Sequence, residues 1–245
     1  MRIAIYSDIH ANLPAFEAVL KDIKTQSIDR CFNLGDLVGY GPFPEEVVAL
    51  ARELKHPTLL GNHDKAVVDQ RAFQQGRMRY EETFAVLWPF SAPARASMEW
   101  TEQQLSDASI AYLAALPFLT HRTSKLNTLR FYHAAPHSYD NGQITWDYVT
   151  DQVHVLESLT AVPPENIAFF GHSHCPGIYR AKDLDGEFRF SRDGYDAEKE
   201  ETVLVNVGSV GQPRDHNPDA CYCIYDTKTG KIRFRARVGQ EPLRG

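Results

Sequence analysis

Cysteine is scarce in this chain of 245 residues: Cys31, Cys175, Cys221 and Cys223 are the full set. Four are too few for a disulfide scaffold, and none are paired at the Cys-x2-Cys spacing of a zinc ribbon. Cys221 and Cys223 read instead as alternate positions on a buried strand, and Cys175 as a packed thiol. Basic charge is also in deficit, with 26 Lys and Arg against 32 Asp and Glu for a net charge of −6. Proteins that neutralise phosphate backbones or anionic membranes need basic surface, so nucleic acid and membrane are disfavoured as partners. No apolar run approaches the roughly 18 residues of a membrane span. The opening Met1-Arg2-Ile3-Ala4-Ile5-Tyr6-Ser7-Asp8 reaches a carboxylate too early for the roughly 7 to 15 apolar residues of a secretory leader. A cytoplasmic location is therefore expected. Low-complexity linkers, internal repeats and charge blocks are missing too, which favours one domain over residues 1–245. Histidine, in contrast, is abundant, with ten in the chain.

Hydrophobic periodicity gives the order of elements. Arg2 to Tyr6 is an apolar run that stops at Ser7-Asp8, and Pro14 to Lys24 follows with helical spacing. The unit repeats as a strand over Arg30 to Leu34 and a helix over Glu45 to Leu54, then a third short strand over Pro57 to Leu60. Strands alternating with helices of this length imply an α/β fold with parallel pairing, whose working loops lie at the strand C-terminal ends. A mainly helical insertion at about 65–116 interrupts this rhythm, with Thr101-Glu102-Gln103-Gln104 matching a capping box. Further strands are expected at Leu129 to His133, Asn166 to Phe170, Gly177 to Ala181, Phe188 to Ser191, Thr202 to Val207, Cys221 to Tyr225 and Ile232 to Val238, with a helix from about Asp147 to Leu159. Short turns at Asp185-Gly186 and Thr229-Gly230 make the second half antiparallel or mixed.

The polar residues that end these apolar runs are Asp8, His10, Asp36, Asn62, His63, His133, His172 and His174, nearly all of them oxygen or nitrogen metal ligands. Strand alternation would set Asp8 and His10 on one side of the backbone, and likewise His172 and His174. Glycine before Asp36, Asn62 and His172 is expected to relieve sharp strand-to-loop transitions. An Asp/His/Asn set favours Mn, Fe, Ni or Zn over Ca or Mg. Two divalent transition-metal ions suit the inventory, about 3.5 to 4 Å apart and bridged by a carboxylate, for which Asp36 is the choice.

The blocks Asp8-x-His10, Gly35-Asp36, Gly61-Asn62-His63-Asp64, His133 and Gly171-His172-Ser173-His174 resemble, in order and over nearly the whole chain, the calcineurin-like metallophosphoesterase superfamily. With Gly208-Ser209-Val210-Gly211-Gln212-Pro213-Arg214, the resemblance is to its small bacterial and archaeal phosphoesterases. It implies a four-layer αββα sandwich of two mixed β-sheets flanked by helices, here with the helical insertion. It further implies a binuclear metal centre: Asp8, His10 and His174 on one ion, Asn62, His133 and His172 on the other, and Asp36 on both. The implied activity is hydrolysis of a small phosphomonoester or phosphodiester by in-line attack of a metal-bound hydroxide, with manganese expected to support it in vitro. His63 would be the catalytic acid over the substrate. The alternatives are a non-catalytic scaffold of the same fold that binds a partner protein, or a nuclease using Arg71, Arg77, Arg79 and Arg95 as a local groove. Scaffolds of this fold tend to lose ligands, and none is missing here.

Several residues keep ordinary explanations. Arg214 offers a planar fork for substrate phosphate, or an ion pair with Asp215 or Asp219. Asn12 could bind substrate or a ligand histidine, or could simply make the turn before Pro14. Asp64 is either a helix cap or the orienting partner of a histidine. His56, His121, His137, His154 and His216 fit no block and read as surface or packing residues. The insertion aromatics, among them Phe73, Tyr80, Phe84, Trp88, Phe90 and Trp100, read as helix packing. The insertion is expected to lie over the site and restrict substrate size, and the pattern is silent on oligomeric state.

Overall fold

The computed structural model describes residues 1–79, 90–123, 128–140, 143–180, 195–196 and 201–236. The opening apolar run forms β1 (Arg2–Tyr6), and α1 (Leu13–Thr25), β2 (Arg30–Asn33) and α2 (Pro44–Leu54) follow. Three helices come next, α3 (Asn62–Gln74), α4 (Ala92–Gln104) and α5 (Asp107–Ala114). Then come β3 (Leu119–Thr123), β4 (Thr128–Tyr132), a 3₁₀ turn at Pro136–Ser138, and the two-residue strands β5 (Tyr139–Asp140) and β6 (Gln143–Ile144). The chain continues through α6 (Gln152–Ala161), β7 (Asn166–Phe170), β8 (Gly177–Arg180), β9 (Tyr195–Asp196), β10 (Val203–Asn206), β11 (Cys221–Asp226) and β12 (Lys231–Ala236).

Ten of these strands make two mixed five-stranded sheets, ordered β2-β1-β11-β12-β9 and β3-β4-β7-β10-β8. Strand alternation distributes their side chains among three cores. Ile3, Ile5, Phe32, Phe131, Ile167, Phe169 and Val205 meet between the sheets, where Phe32 and Phe131 stack at 4.3 Å. On the outer face of the first sheet, Ala4, Tyr6 and Tyr222 pack against Phe16 and Val19 of α1 and Val47 and Val48 of α2. On the outer face of the second, Ala168, Phe170 and Leu204 meet Val155 and Leu159 of α6. Helix, sheet, sheet and helix are therefore the layers. Among the described residues no helix is long and apolar enough to cross a membrane.

Local departures from the sequence pattern have physical causes. Pro57 to Leu60 is not a strand: only Thr58 bridges, to Asn33. β3 carries the polar sequence Leu-Thr-His-Arg-Thr at a sheet edge, where no apolar alternation is required. Thr101 lies inside α4 rather than at a cap, since Ser91 Oγ accepts from Ala94 N at 3.4 Å and starts that helix. Glu102, buried in the same helix, takes Arg71 Nε and, at 3.0 Å, Gln74 Nε2. The helix expected from Asp147 begins at Gln152, because the Asp151 side chain accepts from His154 N at 3.0 Å. Phe188 to Ser191, Tyr80, Phe84 and Trp88 lie outside the described residues.

Candidate metal centre

Seven residues singled out in the sequence, Asp8, His10, Asp36, Asn62, His133, His172 and His174, are buried together on loops at one edge of the paired sheets. β1 delivers Asp8 and His10, β2 delivers Asp36, β4 delivers His133 and β7 delivers His172 and His174. Asn62 opens α3. The alternation of an extended strand does not set Asp8 beside His10. Both lie past the end of β1 in left-handed backbone, with φ of 56° and 48°. Asp36, His172 and His174 are left-handed too, at 54°, 64° and 58°. Such φ values are uncommon outside glycine and cost of order 1–3 kcal/mol each. The ligand candidates thus carry most of the turns themselves; Gly35, at φ 109°, takes a left-handed turn as expected, and the other two glycines make room: a Cβ on Gly61 would overlap Asp36, and one on Gly171 would overlap Ser7 and Asp8.

Hydrogen bonds clamp these strained loops to one another. Asp8 N donates to Gly35 O and His10 N to Asp36 O, each at 3.0 Å, while His172 N donates to the Asp8 carboxylate at 3.1 Å. Ser209 Oγ donates to Asp8 O at 2.9 Å and Gly211 N to the same oxygen at 2.9 Å, so the Gly208–Arg214 stretch grips the first block. Asn206 Nδ2 donates to Gly171 O at 2.9 Å and Ser173 Oγ at 2.7 Å, steadying the last block. The sequence reading missed Asn206. A polar residue ending an apolar strand was its one available signal.

Each imidazole of the set has one nitrogen against a backbone carbonyl. His10 Nδ1 faces Val38 O at 3.0 Å, His133 Nδ1 faces Leu34 O at 3.0 Å, His172 Nε2 faces Trp146 O at 2.9 Å and His174 Nδ1 faces Gln212 O at 2.5 Å. A carbonyl only accepts, so that nitrogen carries the proton and a neutral ring turns its lone pair toward the centre. His10 Nε2 and His174 Nε2 then meet at 3.1 Å, and His133 Nε2 meets Asn62 Oδ1 at 2.9 Å. Facing acceptors at such separations require a proton or a cation between them. Asp36 Oδ2 lies 3.6 Å from His10 Nε2 and 3.4 Å from His133 Nε2, between the two groups. Among the described residues, three clusters could hold a metal ion: Asp8, His10 and His174; Asp36, His133 and His172; and His10, Asp36 and His63. The donor set therefore fits borderline divalent cations.

The electrostatics are those of buried charge in close company. Burial works to raise the Asp36 carboxyl, but His133, by charge and by hydrogen bonding, holds it well below the ordinary range. Burial would lower His133, and the Asp36 carboxylate reverses this to about 9. Burial lowers His172 to about 3 and His63 to about 4. Asp64 is raised to about 7 by burial and by Asp36. Its oxygens accept from Val38 N and Gly61 N, both at 3.1 Å, so it caps α3 and ties two loops together rather than orienting a histidine.

His63 lies beside this group. Its ring centroid is 4.9 Å from His10, 4.7 Å from Tyr40 and 5.1 Å from Phe90, and its buried Nδ1 has no hydrogen-bond partner. Phe90, together with Ser97 of α4, whose Oγ accepts from Tyr40 N at 2.5 Å, brings the insertion against the site. Arg214 is exposed and gives Nη2 to Gln212 Oε1 at 2.7 Å. Asn12 is engaged at both ends, Oδ1 accepting from Ala15 N and Nδ2 donating to Gly211 O. Tyr148 and Trp146 were not foreseen: the Tyr148 ring lies on His172 at 4.0 Å, and Trp146 meets the His133 ring at 5.9 Å. Of the candidate nuclease groove, Arg71 is held by Glu102 and Asp107, and Arg95 donates to Phe90 O at 2.6 Å. His56 sits on the Tyr6 hydroxyl at 2.7 Å and His137 on Ser158 Oγ at 2.7 Å, away from the centre.

Two mixed sheets between helical layers, with a buried Asp, Asn and His cluster on the loops at one edge, define an α/β sandwich with a metal-binding site. The chain belongs to the calcineurin-like phosphoesterase superfamily, whose domain matches residues 1–230. It is 32% identical over 233 residues to an uncharacterized protein of Methanocaldococcus jannaschii, covering 95% of this chain and 85% of that one. Among solved structures it is similar to a metallophosphoesterase from Sphaerobacter thermophilus, with 32% identity, a TM-score of 0.72 and coverage of 96% of this chain and 87% of that one. A hypothetical protein from Pyrococcus horikoshii shares the fold at 19% identity and a TM-score of 0.70, over 99% of this chain and 90% of that one.

Proposed function

We propose that this protein is a hydrolase of small phosphate esters that works with two divalent cations, manganese among those that support it. The observation that carries this reading is the set of four imidazoles, each fixed by a backbone carbonyl, whose free nitrogens converge with Asp8, Asp36 and Asn62. Asp8, His10 and His174 would hold one cation, Asn62, His133 and His172 the other, with Asp36 shared. Bound there, such cations supply Lewis acidity toward phosphoryl oxygens and make water acidic enough to serve as a nucleophile near neutral pH.

The chain's own groups supply positioning and protons. Asp36 accepts His63 N through Oδ1 at 2.9 Å, which places the second residue of α3 and its carboxylate in fixed relation. Burial keeps His63 neutral until an anionic phosphoryl group comes beside it and raises its proton affinity, after which it can donate to the leaving oxygen. Arg214, at the rim, offers its fork to the nonbridging oxygens. The test is turnover of p-nitrophenyl phosphate and bis(p-nitrophenyl) phosphate after loading with Mn²⁺. Asp36→Asn should lower metal-dependent turnover by more than about 100-fold, since ligand and supporting-shell losses reach that size. Absence of metal-dependent turnover, with Asp36→Asn equal to the parent, would refute the reading.

A further inference from the structure

The two halves of the centre are walled differently. On the side of His10 and His63, the neighbouring rings of Tyr40 and Phe90 pack into the core on the first sheet's outer face. On the other side the rings run out to solvent. Trp146 meets His133 at 5.9 Å, His133 meets His172 at 5.2 Å, and the Tyr148 ring lies on His172 at 4.0 Å, tilted by only 23°. Phe118 extends the row from Trp146 at 6.1 Å. The two ends are open, Phe118 at 39% exposure and Tyr148 at 43%. Phe118, Trp146 and Tyr148 belong to none of the three cores formed by the described residues. Large aromatics left in water beside a polar centre mark a ligand surface rather than packing.

The segment that carries two of these rings is fixed at its middle. Asp147, between Trp146 and Tyr148, donates its N–H to Ser138 Oγ at 2.7 Å and accepts from Ala135 N at 3.2 Å. Trp146 takes left-handed backbone, φ 59°, with its carbonyl against His172 Nε2 at 2.9 Å. The rings are thus set before any ligand arrives, and a group stacked on them loses less in ordering. With one face on His172, the exposed Tyr148 offers its other face to a planar aromatic group. Aromatic pairs have centroids about 4.5–7 Å apart. A ring stacked there lies that much farther out than Tyr148, so a spacer of several bonds must join it to a phosphorus held at the centre. A pentose is such a spacer, whereas an aryl phosphate has none. Building on the phosphoesterase reading, we propose that Tyr148 is a specificity-determining residue: it stacks the base of a nucleoside phosphate beside the His172 half of the centre, with Trp146 and Phe118 continuing the wall.

Adenosine 5′-monophosphate and ribose 5-phosphate carry the same primary phosphate ester on the same sugar and differ by the base. On the Mn²⁺-loaded protein the nucleotide should be preferred in kcat/KM by about tenfold or more, mainly through KM, the size of one base stacked on an aromatic side chain. Tyr148→Ala should remove that preference, and Tyr148→Phe, which keeps the ring, should retain it. No preference in the parent overturns the proposal. So does a Tyr148→Ala variant that loses equally on the two esters, which would make the ring a packing support for His172, and so does a Tyr148→Phe variant that behaves like Tyr148→Ala. Failure of the phosphoesterase reading is separable by calorimetry on the same proteins. If neither ester is turned over, tighter binding of the nucleotide than of the sugar phosphate, lost in Tyr148→Ala, supports the stacking surface, and equal binding of the two overturns it.

Discussion

A metal ligand in this centre is defined as much by what holds it from behind as by the atom it presents. The side chains were legible in the sequence, because Asp, Asn and His at the ends of apolar runs stand out. The carbonyls of Leu34, Val38, Trp146 and Gln212 were not, since a backbone oxygen has no sequence signature. Glycine was legible only in part. It was expected to supply the turns, yet Gly61 has a negative φ and is small because Asp36 occupies the space where its Cβ would be. Gly61→Ala should therefore push the Asp36 carboxylate and backbone aside and destabilise the fold by about 1–3 kcal/mol, the usual size of overpacking. Urea unfolding of the metal-free protein measures this, and a loss within error of zero would show that the loop yields freely. The facing nitrogens of His10 and His174 make a second prediction. Cation binding there should add mass-action stabilisation of about 2.7 kcal/mol at a hundredfold excess over Kd. Mn²⁺ should raise Tm and a chelator should lower it, and Asp36→Asn should blunt the shift.

At the level of elements, the helices are joined to one another and to the sheets by a few polar contacts that sequence periodicity does not reveal. Glu45 in the first turn of α2 accepts from Ser106 N at 3.0 Å and from Ser109 Oγ at 3.0 Å, docking α2 against the start of α5. Asp22 of α1 accepts from Tyr222 of β11 at 2.7 Å and from Arg235 of β12 at 2.9 Å. Hydrogen bonding to Arg235 is the main reason that the Asp22 carboxyl lies below its ordinary value. A folded pKa below the unfolded value of about 3.9 means that this contribution is complete above that pH and is lost as pH falls through the folded value. Asp22→Asn should cost up to about 1 kcal/mol at neutral pH, because the pair is partly exposed, and nearly nothing at about pH 2. A stability gap of equal size at both pH values would show that the fork's geometry matters and its charge does not. Strand β3 eluded the sequence reading for a related reason: an edge strand pairs through its backbone, from Leu119 opposite Tyr132 to Thr123 opposite Thr128, and needs no apolar face.

Across the whole molecule, the alternation of strands and helices at the start and the run of strands at the end were enough to indicate an α/β fold with a mixed second half, and the sandwich followed only from the resemblance of the ligand blocks. They did not reveal how the two sheets divide the strands. β1 pairs in parallel with β2 but antiparallel with β11, so the centre of the first sheet is a strand more than 200 positions downstream of β1, with Ile3 opposite Tyr225. Only the three-dimensional register shows that partnership, because an isolated apolar strand of four to six residues carries no mark of its neighbour.

That register also sets an order of events for a chain made from its N-terminus. β1 has one of its two partners early and must wait for the other, and Asp8 is gripped by Ser209 and Gly211 from near the far end. Pairings this distant in sequence close slowly, and until they close the apolar edge of β1 is open to other chains. A ribosome that has released only the first half of this protein has produced the residues Asp8, His10, Asp36 and Asn62 without the loop that grips Asp8. A cation captured at that stage would meet half a coordination shell, so selective metal uptake belongs to the finished chain.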